Sequence, residues 1–261
     1  MNEIVLLEWA GDSVAVVTMS NPSINNHMSW RTVDLLAEAL VGAREQGAKV
    51  SILASGVPGH WFEHAWLVDL MAVSEGKSPV SDAASTGSGW FQCLEELRNR
   101  NVVSIAAISG DCSGGGAELG WACDLRIAEK QARFAQPEVR LGLTTGIGGT
   151  SRLARLAGRA TAAEMVLDGR PMAAERLCQL GGINHVVETG EALNAAITLG
   201  TSIARNSRAA LAGLKQILAD NDDLNASDAL KREQAVFQTV VRTPEAAVNM
   251  RSAQSRYDNG E

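Results

Sequence analysis

The sequence predicts an α/β core followed by a helical tail. Short β-rich segments alternate with helical stretches up to about residue 188, and beyond it the strand pattern stops and helical periodicity takes over. Strands are expected at Ile4–Trp9, Val14–Thr18, Val50–Ala54, Val102–Ile108, Asp124–Ala128 and Asn184–Val187. Residues 21–26 form a turn-rich link, and Ser29 then has the chemistry of an N-cap for a helix reaching about Arg44. Residues 74–89 are polar and glycine-rich, the composition of a mobile loop over a site. Helices are expected over 190–206, 208–219, 225–241 and 244–257. In the second of these, Leu211, Leu214, Ile217 and Leu218 make one apolar stripe, as in a helix laid on a neighbour.

Composition narrows the functional classes. At 261 residues the chain can bury a large core, and 46% hydrophobic with 20% charged residues is the balance of a soluble globule. A net charge of −7 argues against a nucleic-acid partner. Cys93, Cys112, Cys123 and Cys178 have neither metal-ligand spacing nor disulfide density, which suits buried thiols in a reducing compartment. The N-terminus has no basic start, and no apolar run approaches the ~20 residues needed to span a bilayer. A cytoplasmic protein with no membrane partner is expected.

The segment Ile105–Thr150 carries the chemistry. Its apolar start reads as a buried strand; Gly114, Gly115 and Gly116 follow, and then a helix-forming run. A glycine-rich turn feeding a helix N-terminus leaves N–H groups aimed at whatever lies before them, and such donors stabilise a developing oxyanion. Glu118 is expected in the first turn of that helix, on the side of a ligand held at Gly115. Its neighbours Leu119, Trp121 and Ala122 make the helix a buried one, and a buried carboxylate needs a reason. Glu138 follows Gln136-Pro137, which sets a second acid on a rigid turn. Two carboxylates beside a set of fixed amides point to an enzyme.

Other motifs weigh less. Gly146-Ile147-Gly148-Gly149 lacks the third glycine of a dinucleotide fingerprint, because Ser151 stands there; its glycines are read as letting the backbone pass beside the Glu138 turn. His60-Trp61-Phe62-Glu63-His64 matches an inverted zinc-peptidase pattern, but Pro58-Gly59 favours a loop where zinc needs a helix. Ser113 lacks the nucleophile-elbow context, and His27 and His185 read as surface or strand-end residues.

The stretch SGDCSGGGAELGWACDLRIAEKQARFAQPEVRLGL, followed by GIGGTSRLARLAG, resembles the core signature of the crotonase superfamily, the enoyl-CoA hydratase/isomerase family. The likeness extends over nearly the whole chain, with VAVVTMSNPSINNHMSW similar to the family's first strand and turn. The resemblance implies a spiral of ββα units over residues 1–195 and a helical trimerisation region over 196–261. It implies an acyl-CoA thioester as substrate, coenzyme A entering with it and no separate cofactor, and assembly as a homotrimer or a dimer of trimers. By motif match, the backbone amides of Gly115 and Trp66 hold the thioester oxygen, Glu118 and Glu138 are the acid/base pair, and His64, Ala65, Leu67 and Gly114 contact the substrate.

Where a typical member reads F-S-A-G-A-D-L, this chain is aligned as Phe62-Glu63-His64-Ala65-Trp66-Leu67-Val68. Trp66 is thereby expected to fill space beside the acyl group. Hydration of a 2-enoyl-CoA is the first reading. Isomerisation or carbon–carbon cleavage on the same scaffold, and non-catalytic acyl-CoA binding, are the alternatives.

Overall fold

The computed structural model describes residues 4–221 and 224–259, and the chain divides into two compact units, one ending at Thr201 and the other beginning at Ser202. The division falls inside a helix, a few residues beyond the boundary expected at 195/196.

In the first unit the strands are β1 (Val5–Trp9), β2 (Val14–Met19), β3 (Val50–Ser55), β4 (Gly59–His60), β5 (Val103–Ile108), β6 (Gly110–Ser113), β7 (Leu125–Glu129), β8 (Arg133–Ala135), β9 (Met172–Ala173) and β10 (His185–Val187). They form two sheets. The larger runs β1-β2-β3-β5-β7-β10, with β1 antiparallel to β2 and every later pair parallel. The smaller runs β4-β6-β8-β9, parallel except for its last pair.

Successive strands alternate between the sheets: β3, β5 and β7 lie in the larger one, and β4, β6 and β8, each directly following, lie in the smaller. That alternation, with helices between, is the spiral of ββα units. All six strands expected from the sequence belong to the larger sheet, and their ends differ by at most one residue. The other four have two to four residues, too short for an alternating pattern to show.

Burial explains the strands that were legible. β2, β3 and β5 are covered on both faces, so VAVV, VSILA and SIAAI read as continuous apolar runs rather than alternating ones. The helices of this unit are α1 (Trp30–Glu45), α2 (Leu67–Ser74), α3 (Ser88–Arg98), α4 (Gly114–Ala122), α5 (Gly149–Ala157), α6 (Arg159–Asp168), α7 (Ala174–Gln179) and α8 (Ala192–Ala204), the last crossing into the second unit. Ser29 caps α1 as expected, its hydroxyl accepting from the Thr32 N–H at 3.2 Å, and Val33, Leu36, Ala37 and Leu40 bury one stripe.

Asp69 of α2, wholly buried, accepts from the Trp30 N–H (2.9 Å) and the Ser81 N–H (2.8 Å). It ties the start of α1 and the 74–89 segment to one carboxylate. Cys93, Cys112 and Cys123 are buried free thiols, and Cys178 is a half-buried one.

The second unit contains α9 (Arg208–Asn221), α10 (Ala226–Val240) and α11 (Pro244–Asp258). Asn225 and Thr243 cap α10 and α11. Gly213 lets α9 meet α10 closely: a Cβ there would stand 2.9 Å from Val236 Cγ1. Among the described residues no helix is long and apolar enough to cross a membrane.

Candidate active site

The site is assembled from segments that each leave the smaller sheet. The 61–66 segment follows β4, α4 follows β6, and a 3₁₀ turn, Glu138–Leu141, follows β8. They enclose a cavity of about 320 Å³ whose walls include His64, Ala65, Leu67, Gly115, Glu118 and Glu138, with Trp30, Trp90 and Phe91 as an aromatic side and Leu141, Leu143 and Ile147 opposite in sequence. The lining is mostly apolar, with His64, Glu118 and Glu138 among its few polar residues.

Gly115 lies in the first turn of α4, where its N–H has no intrahelical acceptor, and the Ser113 side chain does not cap this helix. Gly114 is needed for the geometry. Its φ is +49°, and a Cβ on it would stand 2.6 Å from His64 Cβ. Gly114 therefore builds the turn and is absent from the cavity wall, unlike the substrate-contact role expected of it.

The other expected donor is corrected. Trp66 begins α2 as its N-cap residue, and its N–H donates to the Met28 carbonyl at 2.9 Å. That bond belongs to an isolated parallel bridge between Met28 and Ala65. In such a bridge the central residue points its own amide away from the partner strand, and the Ala65 N–H has no protein acceptor among the described residues. Ala65, not Trp66, therefore presents an uncommitted amide with Gly115. The Trp66 amide expected to hold the thioester oxygen is thus already engaged within the chain. The Trp66 side chain is half-buried and lines a neighbouring cavity with Ser23, Asn25 and His27 instead.

Glu118 sits in the second turn of α4 rather than the first, and is only 1% exposed. Its Oε2 accepts from the Ile147 N–H at 2.7 Å, while Oε1 is buried with no partner among the described residues. Burial, and then the nearby Glu138 charge, raise its pKa from 4.5 to about 7, while the bond from Ile147 and the nearby backbone amides of Gly149 and Gly146 oppose the rise. The 146–149 glycines thus serve Glu118, not the Glu138 turn. A Cβ at Gly149 would stand 2.7 Å from Glu118 Oε1.

Glu138 is half-buried at the start of its 3₁₀ turn, and burial raises its pKa while the neighbouring His64 opposes the rise. Gln136, fully buried, orients it. With the amide turned to satisfy both neighbours, its oxygen accepts from Trp121 Nε1 (3.2 Å) and its nitrogen donates to Glu138 Oε1 (3.1 Å). The two acids thus meet in one cavity and differ in their settings: an unpartnered carboxyl oxygen at Glu118, a donor and a nearby imidazole at Glu138.

The His60–His64 pattern is β4 and loop, not a helix. Glu63 is buried and takes His60 Nδ1 at 2.9 Å and the Ser113 hydroxyl at 2.5 Å, so the three residues brace the loop. Trp30, Trp90, Phe91, Gln136, Ile147 and Gly149 were not anticipated as site residues. The one available signal was the tryptophan directly after the polar 74–89 segment.

The site thus brings two uncommitted amides, two carboxyls and an apolar wall together. The chain matches the family described as enoyl-CoA hydratase/isomerase over residues 10–255. It is 33% identical to the carnitinyl-CoA dehydratase of Salmonella arizonae over 212 residues, covering 81% of this chain and 79% of that protein. The enzyme of the same name from Escherichia coli K12 is 31% identical over 219 residues, covering 84% and 82%. Among solved structures, Pseudomonas aeruginosa DspI superposes with a TM-score of 0.87 at 26% identity, covering 98% and 95%. An enoyl-CoA hydratase from Mycobacterium tuberculosis gives 0.83 at 29%, covering 97% and 96%. The chain belongs to the enoyl-CoA hydratase/isomerase family, within the crotonase superfamily. It is an acyl-CoA-processing enzyme, and the curated relatives named above are dehydratases.

Proposed function

We propose that this enzyme interconverts a 3-hydroxyacyl-CoA and the corresponding 2-enoyl-CoA by syn elimination and addition of water, using Glu118 and Glu138. The observation that supports this most is the buried, unpartnered Glu118 Oε1 in the cavity shared with Glu138. With its pKa raised to about 7 Glu118 is the acid of the pair, protonated in a large share of molecules at neutral pH, and Glu138, which takes the Gln136 amide and lies beside His64, is assigned as the base.

In the dehydration direction, Glu138 takes the α-proton. The negative charge moves to the thioester oxygen, where the amides of Gly115 and Ala65 stabilise it, each donor being worth about 2.7–4 kcal/mol. The enolate then re-forms its carbonyl, expels the β-oxygen, and Glu118 gives it the proton that makes it water. Hydration runs the same steps backwards: Glu118 takes a proton from water, and Glu138 returns one to the α-carbon.

The carnitinyl-CoA of the curated relatives is the first substrate to try, followed by a panel of 3-hydroxyacyl-CoA thioesters read at the absorbance of the conjugated thioester. Turnover in both directions with solvent ¹⁸O entering the β-hydroxyl is expected. Double-bond migration without ¹⁸O uptake would move the assignment to an isomerase, and thioester binding with no turnover would make the protein a binder. The second unit supports self-association into a homotrimer or a dimer of trimers, because Leu214 and Leu218 of α9 and Leu230 and Phe237 of α10 are 55–70% exposed on the isolated chain.

A further inference from the structure

His27 and His64 stand together at the wall between the catalytic cavity and a neighbouring one of about 360 Å³, and His64 lines both. Their rings meet edge to face, with centroids 4.3 Å apart. Hydrogen bonds decide how many protons they hold. His27 Nδ1 lies 2.5 Å from the Ile24 carbonyl oxygen, and His64 Nδ1 lies 2.8 Å from the Ala65 carbonyl oxygen. A carbonyl only accepts, so each Nδ1 carries a hydrogen. The two Nε2 atoms are 3.2 Å apart, and a hydrogen bond between them needs one more. Three protons on two imidazoles amount to one positive charge.

We infer that His27 and His64 form an imidazole–imidazolium pair that fixes one positive charge behind Glu138 and keeps that carboxylate ionised for α-proton abstraction. The inference rests on the acid/base reading above. The two residues are close neighbours. The position of a Cβ on Gly114 is 2.6 Å from His64 Cβ and 3.4 Å from Glu138 Oε1, so the two side chains flank the same glycine. A positive charge on the His64 ring lowers the pKa of Glu138 and so favours its ionised form.

Burial lowers the pKa of His27, against the bond to the Ile24 carbonyl that raises it, so His27 Nε2 is the acceptor in the pair. The other ionisable groups facing the pair are Glu63 and His60, with Asp111 of β6 beyond them. Glu63 is already engaged by His60 and Ser113, so Glu138 is the carboxylate left to answer the cation on the cavity side. His27 and His64 are positioning residues in this account, because they act through Glu138.

The test uses the full chain. In ¹⁵N-histidine NMR at pH 7, His64 should have both nitrogens protonated and His27 a bare Nε2. The carboxyl carbon of Glu138, followed by ¹³C labelling, should titrate about one pH unit higher in His27→Phe, which removes the acceptor. It should return towards the wild-type value in His27→Gln, whose amide oxygen can accept from His64. The acidic limb of kcat/KM for dehydration should move with it.

A singly protonated His64 in the wild type, or an unmoved Glu138 titration in His27→Phe, would overturn the inference. If His27→Phe does not fold, the wild-type nitrogen spectrum still decides it. Both NMR readouts are independent of turnover, so failure of the hydro-lyase reading would be seen separately as absence of catalysis with the pair intact.

Discussion

Replacing Glu118 with glutamine should abolish most activity and, at alkaline pH, make the protein more stable. The native carboxyl titrates near 7 instead of 4.5. Between those values the folded chain keeps a proton that the unfolded chain has released. Stability from this group is therefore full below pH 4.5 and lost as pH rises through 7. At ~1.4 kcal/mol per pH unit, the interval corresponds to about 3 kcal/mol of destabilisation at pH 8. Glutamine removes that cost with little rearrangement. Its oxygen can keep the bond from the Ile147 N–H, and its amino group takes the place of Oε1, which has no partner in the chain among the described residues. Urea unfolding at fixed protein concentration should show Glu118→Gln more stable by roughly 2–3 kcal/mol at pH 8 and nearly neutral at pH 5, with kcat reduced by roughly 10²–10⁴-fold. An equal change in stability at both pH values would refute the raised pKa, and with it the assignment of the resting proton to Glu118.

Three further outcomes follow from the geometry. Glu138→Gln should lower kcat by roughly 10²–10⁴-fold with KM little changed, because its carboxyl acts on the reacting atoms in the transition state, and steady-state kinetics will show it. Gly149→Ala places a methyl 2.7 Å from Glu118 Oε1, 2.8 Å from its Cγ and 2.9 Å from Gln136 Oε1, so activity should fall by about 10²-fold and the melting temperature should drop with it, as kinetics and thermal unfolding will show. Trp66→Ala should leave the ranking of acyl groups unchanged, since its side chain lines the neighbouring cavity, whereas Trp90→Phe should alter it; parallel substrate panels decide both.

The sequence exposed what repeats over many residues and hid what depends on one. β2, β3 and β5 were legible because each is a buried apolar run, and the tail helices because their apolar stripes recur at helical spacing. Glu118 and Glu138 were legible from their glycine and proline settings. The identity of the second amide was not, because a one-residue shift reverses which way an amide points in an extended segment, and only the Met28 pairing fixes that register. His27 passed for a surface residue because its partner lies 37 positions away in the chain. Trp30 and Trp90 come from different helices and meet edge to face, a contact that no local pattern encodes.

The alternation of strands between the two sheets has a consequence for how this chemistry can change. Ala65, Gly115 and Glu138 all occur at the same phase of successive repeats, just after β4, β6 and β8. Those strands are adjacent and parallel, so neighbouring repeats deliver their exits at the ~4.8 Å pitch of a sheet. In the proposed reaction a thioester lying across that row would meet one functional group per repeat, as a key meets successive pins. Each pin can be exchanged without moving the others, because its height is set by strand pairing and not by its neighbour's side chain. The 61–66 segment is one such pin: its unpaired Ala65 amide and the Gly115 amide of the next repeat belong to residues that line the same cavity.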